Sequence, residues 1–293
     1  MHYGRPLLPR RCPPDQVVSH LRFSFRTIIV TSESEAWALA NDGVGMTVDT
    51  VERIALVTGA SRGIGAEVAL QLASAGYLVV VNYREKRARA EKVVSEIESA
   101  GGKALALQAD LADAESVEAM VALLADRFGH LDLVVLNASG GLELGAGPDY
   151  AMQLNRDAQL RLAELVRPFM RPSSRIVFVT SHQAHFVGQK PVPVDYEPIA
   201  LSKRAGEDAL RALIPELQQQ QIDLAVVSGD MIDGTIIVRL LERRNPDAVA
   251  ARRDHGVLPT IEDFAQVVVR ASTTAIESGQ TFYVGGADYL QHS

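Results

Sequence analysis

The sequence predicts a doubly wound α/β domain, a seven-stranded parallel sheet with helices on both faces, starting near Arg53 and running to the C-terminus. Two observations carry this. Short apolar runs recur at 53–58 (RIALVT), 77–82 (YLVVVN), 103–108 (KALALQ), 131–136 (LDLVVL), 174–181 (SRIVFVTS), 222–228 (IDLAVVS) and 280–284 (QTFYV). Continuous rather than alternating hydrophobicity marks strands covered on both faces, as parallel strands are. The first two runs are also joined by a glycine turn and a helical segment. That turn reads Gly59-Ala60-Ser61-Arg62-Gly63-Ile64-Gly65, and Val68, Ala69, Leu72 and Ala73 follow at helical spacing before Gly76 closes the helix.

Bulk properties bound the rest. The chain has 293 residues, 47% hydrophobic and 22% charged, which suits a packed core. A formal charge of -7 argues against a nucleic-acid or anionic-membrane partner, since both require a basic face. Cys12 is the single cysteine, so no intrachain disulfide and no cysteine metal spacing exist, consistent with a reducing, cytoplasmic setting. No apolar run is long enough for a membrane-spanning helix.

Residues 1–50 are read as an N-terminal extension separate from the domain at 51–293. They open with a Pro/Arg cluster (Arg5, Pro6, Pro9, Arg10, Arg11, Pro13, Pro14) that cannot hold a helix. A strand at 21–30 and a short helix at 33–40 are conceivable. A cleavable leader, a functional extra segment and a loosely attached tail ahead of a natural start at Met46 all remain open; the tail is the favoured reading.

Strand, glycine turn, helix and strand in that order form the context of a dinucleotide fingerprint. Gly59 permits the turn out of the strand, while Gly63 and Gly65 clear space for a pyrophosphate and for close helix packing. The helix N-terminus then offers free N–H groups to phosphate.

The spacing Gly-x-x-x-Gly-x-Gly within Thr58–Gly65 resembles the cofactor motif of the short-chain dehydrogenase/reductases, especially 3-oxoacyl-[acyl-carrier-protein] reductase-like members. The resemblance covers about 240 residues and implies a Rossmann-type fold, a nicotinamide cofactor, a small carbonyl or alcohol substrate and a homo-oligomer, dimer or tetramer. It places Gly59, Ser61, Arg62, Gly63, Ile64 and Gly65 at the cofactor. The second strand ends Asn82-Tyr83-Arg84, with a base rather than an acid at its tip. Arg84 and Arg62 suit a ribose 2′-phosphate, so NADP(H) is expected over NAD(H). By the same resemblance Asp110 and Leu111 border the adenine, and Asn137-Ala138-Ser139 corresponds to the family's Asn-Ala-Gly. Thr235 is placed near the carboxamide or a phosphate.

The resemblance also implies catalytic residues. Ser181 would orient the substrate, Asn155 would anchor a relay water, and Lys203 would bind ribose and tune a tyrosine acid. That tyrosine stands four residues before the lysine in the family, but here the position is Ile199 and the neighbouring tyrosine is Tyr196. Pro198 suits a first helical turn, which makes Glu197 the expected cap with Tyr196 just outside. In a continuous helix Tyr196 and Lys203 would lie about 10 Å apart; a bend at Pro198 would swing the phenol back over the site. His182 and His185 are the substitute acids. Residues 236–257 read as a lid whose arginines (Arg239, Arg243, Arg244, Arg252, Arg253) either recognise an acidic substrate or form a solvated face. The expected function is NADP(H)-dependent carbonyl reduction or its reverse. The alternatives are a non-catalytic NADP(H)-binding subunit and a reductase of activated double bonds.

Overall fold

The computed structural model describes Met1 and residues 52–141, 147, 149–254 and 256–290. The expected tail at 1–50, its strand and helix, and most of the expected substrate loop at 141–149 lie outside the described residues. The chain runs β1 (Arg53–Val57), α1 (Gly63–Ser74), β2 (Tyr77–Tyr83), α2 (Arg87–Ser99), β3 (Lys103–Gln108), α3 (Ala114–Phe128) and β4 (Leu131–Leu136). Then follow α4 (Tyr150–Met152), a π turn (Gln153–Asp157), α5 (Ala158–Val166), β5 (Met170–Ser181), α6 (His182–His185), α7 (Glu197–Ala212) and α8 (Ile214–Gln219). The last part is β6 (Asp223–Gly229), α9 (Ile236–Arg244), α10 (Pro246–Asp254), α11 (Ile261–Thr273), β7 (Gln280–Val284) and α12 (Ala287–Leu290).

The strands form one seven-stranded sheet in the order β3-β2-β1-β4-β5-β6-β7. Every pairing is parallel. The pleat sends Ala55 and Val57 to one face and Ile54 and Leu56 to the other. The first face packs on α1, α2 and α11 through Leu72, Ile97 and Phe264. The second packs on α3, α5 and α7 through Leu124, Leu162 and Leu210. Local signals stop the helices where they should. Asp113 accepts the Glu115 N–H at the start of α3, Gly129 takes φ +69° at its end, and Thr260 and Asp263 cap α11 reciprocally. Among the described residues no helix is long and apolar enough to cross a membrane.

Helix α7 lies unusually close to the π turn. A Cβ on Gly206 would fall 2.1 Å from the Asn155 carbonyl oxygen, so only glycine permits this crossing. The other fixed point is His182, which is fully buried and not the pocket-lining or acid residue expected. Its Nε2 donates to the Gly285 carbonyl (3.1 Å), so Nδ1 accepts from the Ser228 hydroxyl (2.8 Å). This neutral tautomer ties the end of β5 to β6 and to the turn after β7. Burial pushes its pKa below the usual imidazole value.

Two outcomes follow. Gly206→Ala should destabilise by about 2–3 kcal/mol, through overpacking against backbone, and lower the melting temperature by several degrees. His182 binds a proton more readily unfolded than folded. Its contribution is complete above the unfolded pKa near 6.5 and is lost as pH falls below it. Urea midpoints should therefore drop between about pH 7.5 and pH 5.5, and His182→Asn should flatten that drop.

Candidate active site

The chain leaves β1 toward β2 and β3 and returns to β4 on the other side. A crevice opens at the carboxyl ends where that order reverses. Its first wall is the glycine turn. Gly59 and Gly63 take φ +62° and +56°. A Cβ on Gly65 would meet Asn137 Nδ2 at 2.5 Å and the Gly59 carbonyl at 2.7 Å, whereas one on Gly63 would meet nothing within 4 Å. Gly65 is bare for packing; Gly63 is bare on an open side. No side chain caps α1 at Arg62 and no acid sits in its first turn. Free N–H groups, the positive dipole end and an open glycine face suit a diphosphate.

Side chains behind the turn hold it rigid. The Thr58 hydroxyl donates to the Val135 carbonyl (3.2 Å) and accepts the N–H groups of Asn137 (2.9 Å) and Ala138 (3.0 Å). The Asn137 amide donates to the Thr58 carbonyl at 2.9 Å. Asn82 Oδ1 accepts the Gly59 N–H (3.2 Å), while Nδ2 donates to the Ala109 carbonyl (3.3 Å). Asn82, Tyr83 and Leu111 are buried, and the Asn82 side chain is taken up in shaping the turn. Asp110 accepts the Ala112 N–H at 3.0 Å and stands half-buried beyond β3. Ser61, Ile64 and Ala138 are half-buried and Ser139 is exposed.

Two arginines flank this wall. The Arg62 side chain is exposed and makes no hydrogen bond among the described residues. Arg84, at the tip of β2, donates Nη1 to the Tyr150 hydroxyl at 2.5 Å and lies 3.1 Å from Glu85.

The second wall comes from β5 and α7. Ser181 ends β5 and caps α6, its oxygen accepting the Ala184 N–H. Tyr196 closes a one-turn 3-10 helix (Val194–Tyr196) and is itself the N-cap of α7, with Glu197 the first helical residue rather than the cap. That turn brings the Tyr196 hydroxyl to 3.4 Å from Ser181 Oγ. The phenol end is enclosed although the residue is half-buried, and burial pushes its pKa up, against a smaller lowering by Ser181. Lys203 is buried, makes no ion pair among the described residues, and is brought down to about 8 by desolvation.

Ile199 sits one turn before Lys203 on the same face, buried against Gly141 and Ala151. Asn155 is likewise fully buried. Its amide donates to the Gly140 carbonyl and to Ser202 Oγ (2.9 Å each) and accepts the Gly140 N–H (3.2 Å). The side chain staples α7 to the loop after β4.

Other expectations shift too. Thr235 is occupied locally, donating to the Ile232 carbonyl (2.8 Å) and capping α9. Arg252 is neither a solvated nor a substrate-seeking cation, because Asp230 and Asp288 both bind it. Arg253 pairs with Glu242 and Asp233. Among the described residues no cluster could hold a metal ion. Thr58, Ser202 and Gln159, which donates to the Ala138 carbonyl at 3.1 Å, were not anticipated. Their signal in the sequence is a lone polar residue at a buried helix or strand position.

Taken together, the carboxyl ends of the strands carry a hydroxyl pair and an open glycine turn at a helix start, with a buried ammonium on α7. Such a site can protonate an oxygen beside a bound dinucleotide.

The chain is 39% identical over 142 residues to versicolorin reductase of Emericella nidulans, covering 46% of this chain and 54% of that protein. It is 54% identical over 84 residues to 3-oxoacyl-[acyl-carrier-protein] reductase of Staphylococcus aureus, covering 29% and 34%. The matches thus span about half or less of these curated relatives. Its fold superposes on the angucycline C-6 ketoreductase LanV with bound NADP at a TM-score of 0.70, with 26% identity over 82% of this chain and 97% of that one. The short chain dehydrogenase family model matches residues 53–245, and the chain belongs to that family.

Proposed function

We propose that the protein is an NADP(H)-dependent oxidoreductase that reduces a small carbonyl compound to its alcohol, or runs the reverse. The observation that carries this reading is the Tyr196 hydroxyl beside Ser181 Oγ at 3.4 Å, with Ile199 where the family's tyrosine is expected. Bound NADP in the structural neighbour supports the cofactor.

The residues fit such a cofactor. The uncapped start of α1 with Gly63 would receive the diphosphate, and Asp110 would border the adenine. Arg62 and Arg84 would take the 2′-phosphate, for which guanidinium geometry is suited. Bound there, the reduced cofactor would supply the hydride. Ser181 donates a hydrogen bond that fixes the carbonyl oxygen. Tyr196 gives its phenolic proton to that oxygen as negative charge develops there. Lys203 stabilises the phenolate left behind and holds the ribose. Burial raises the Tyr196 pKa, so the phenol holds a proton to donate at neutral pH.

Tyr196→Phe should lower kcat by about 100-fold or more, with NADPH affinity unchanged, followed at 340 nm on ketones and 3-oxoacyl thioesters. Unchanged turnover sinks the acid assignment. Saturable NADPH binding without turnover on any substrate favours a cofactor-sensing subunit, the reading Ile199 suggests. Replacing Arg62 and Arg84 together by alanine should weaken NADPH binding by about 10-fold or more while leaving NADH binding little changed. Equal losses for both cofactors would remove the phosphate role.

A further inference from the structure

Behind the site lies a closed polar circuit that the chemistry above does not use. Glu207 on α7 is fully buried. One of its oxygens receives His185 Nδ1 at 2.9 Å, and the other accepts Arg211 Nε at 2.9 Å. Arg211 continues to the Gly279 carbonyl and to Thr281 Oγ1, both at 2.7 Å. The other nitrogen of His185 meets the Tyr283 hydroxyl at 3.1 Å. Thr281 and Tyr283 lie two residues apart on β7, so the ring closes through one strand. Its polarity is fixed. Burial opposes the charge on Glu207, but the His185 and Arg211 hydrogen bonds outweigh it and hold the carboxyl below its usual range. An ionised Glu207 only accepts, so His185 carries its proton on Nδ1 and its Nε2 accepts from Tyr283.

The circuit holds α6 against α7. Arg204 adds a further tie, donating to the His185 carbonyl at 2.9 Å. Ser181 is the cap of α6, while Lys203 lies on α7 and Tyr196 at its start. The spacing between substrate-orienting hydroxyl and acid is therefore set where α6 meets α7. Packing alone would be served more cheaply by leucine, since a buried ion is a poor source of stability.

We propose that His185 and Glu207 are positioning residues that set the Ser181–Tyr196 spacing. The proposal rests on the reading of those two hydroxyls as the reacting pair.

The test compares wild type with Glu207→Gln, His185→Ala, His185→Asn, Tyr283→Phe and Tyr196→Phe in the full chain. Readouts are ketone reduction at 340 nm, NADPH affinity by fluorescence, and melting temperature. Tyr283→Phe removes one hydroxyl from a partly exposed ring, so it stays folded even if the buried changes do not. The expected result is a kcat loss of ~10-fold for Glu207→Gln and His185→Ala and ~3-fold for Tyr283→Phe, the size of weakened orientation rather than lost chemistry. NADPH affinity should stay unchanged, and His185→Asn, which keeps a donor, should recover part of the loss. Folded variants with wild-type kcat overturn the proposal, and a Tyr196→Phe loss alongside them leaves the acid assignment standing. Losses that track melting temperature, with NADPH affinity falling in step, also overturn it. Unchanged turnover in Tyr196→Phe overturns both readings.

Discussion

The fold depends on how closely β1 and β4 can approach at their carboxyl ends. Thr58 sets that approach. Its hydroxyl takes two N–H groups from the start of the next loop and gives its proton to the Val135 carbonyl. Once these are joined, Asn137 fills the place where a side chain on residue 65 would be, and α1 has one way to leave the strand. The crevice is therefore a product of backbone hydrogen bonds satisfied by buried polar side chains. Each such group would be costly unpaired, which makes the arrangement all-or-none.

A second set of buried polar groups does the same work across the site. Asn155 and Ser202 join the π turn to α7, and Gly206 lets the two backbones touch. His182 joins three strand ends. Arg252 draws α10 onto Asp230 and Asp288. The carboxyl-end face thus rests on a sheet whose ends are pinned from both sides, while the Ser181 and Tyr196 hydroxyls stand on its rim.

Much of this was legible in the residues. The seven apolar runs located the strands, and the glycine turn located the cradle, because both depend on local sequence alone. The displaced phenol was harder. Pro198 announced a helix start, but a one-turn 3-10 helix ahead of it decides where Tyr196 points, and no residue pattern distinguishes that turn from a plain loop. His182 and Arg252 depart from the sequence reading for a shared reason. A polar side chain that faces a ligand and one that staples backbone look alike in sequence, since only its three-dimensional partners differ.

The placement of Tyr196 on a connection has an evolutionary consequence. A residue inside a helix inherits its position from the core and moves only when the core does. Tyr196 instead hangs at the end of a surface segment that can gain or lose residues at little cost. Substitutions that keep Ile199 packed near Gly141 and changes that move the Tyr196 hydroxyl can therefore accumulate independently. In this chain the position one turn before Lys203 serves packing, while the phenol stands outside the helix.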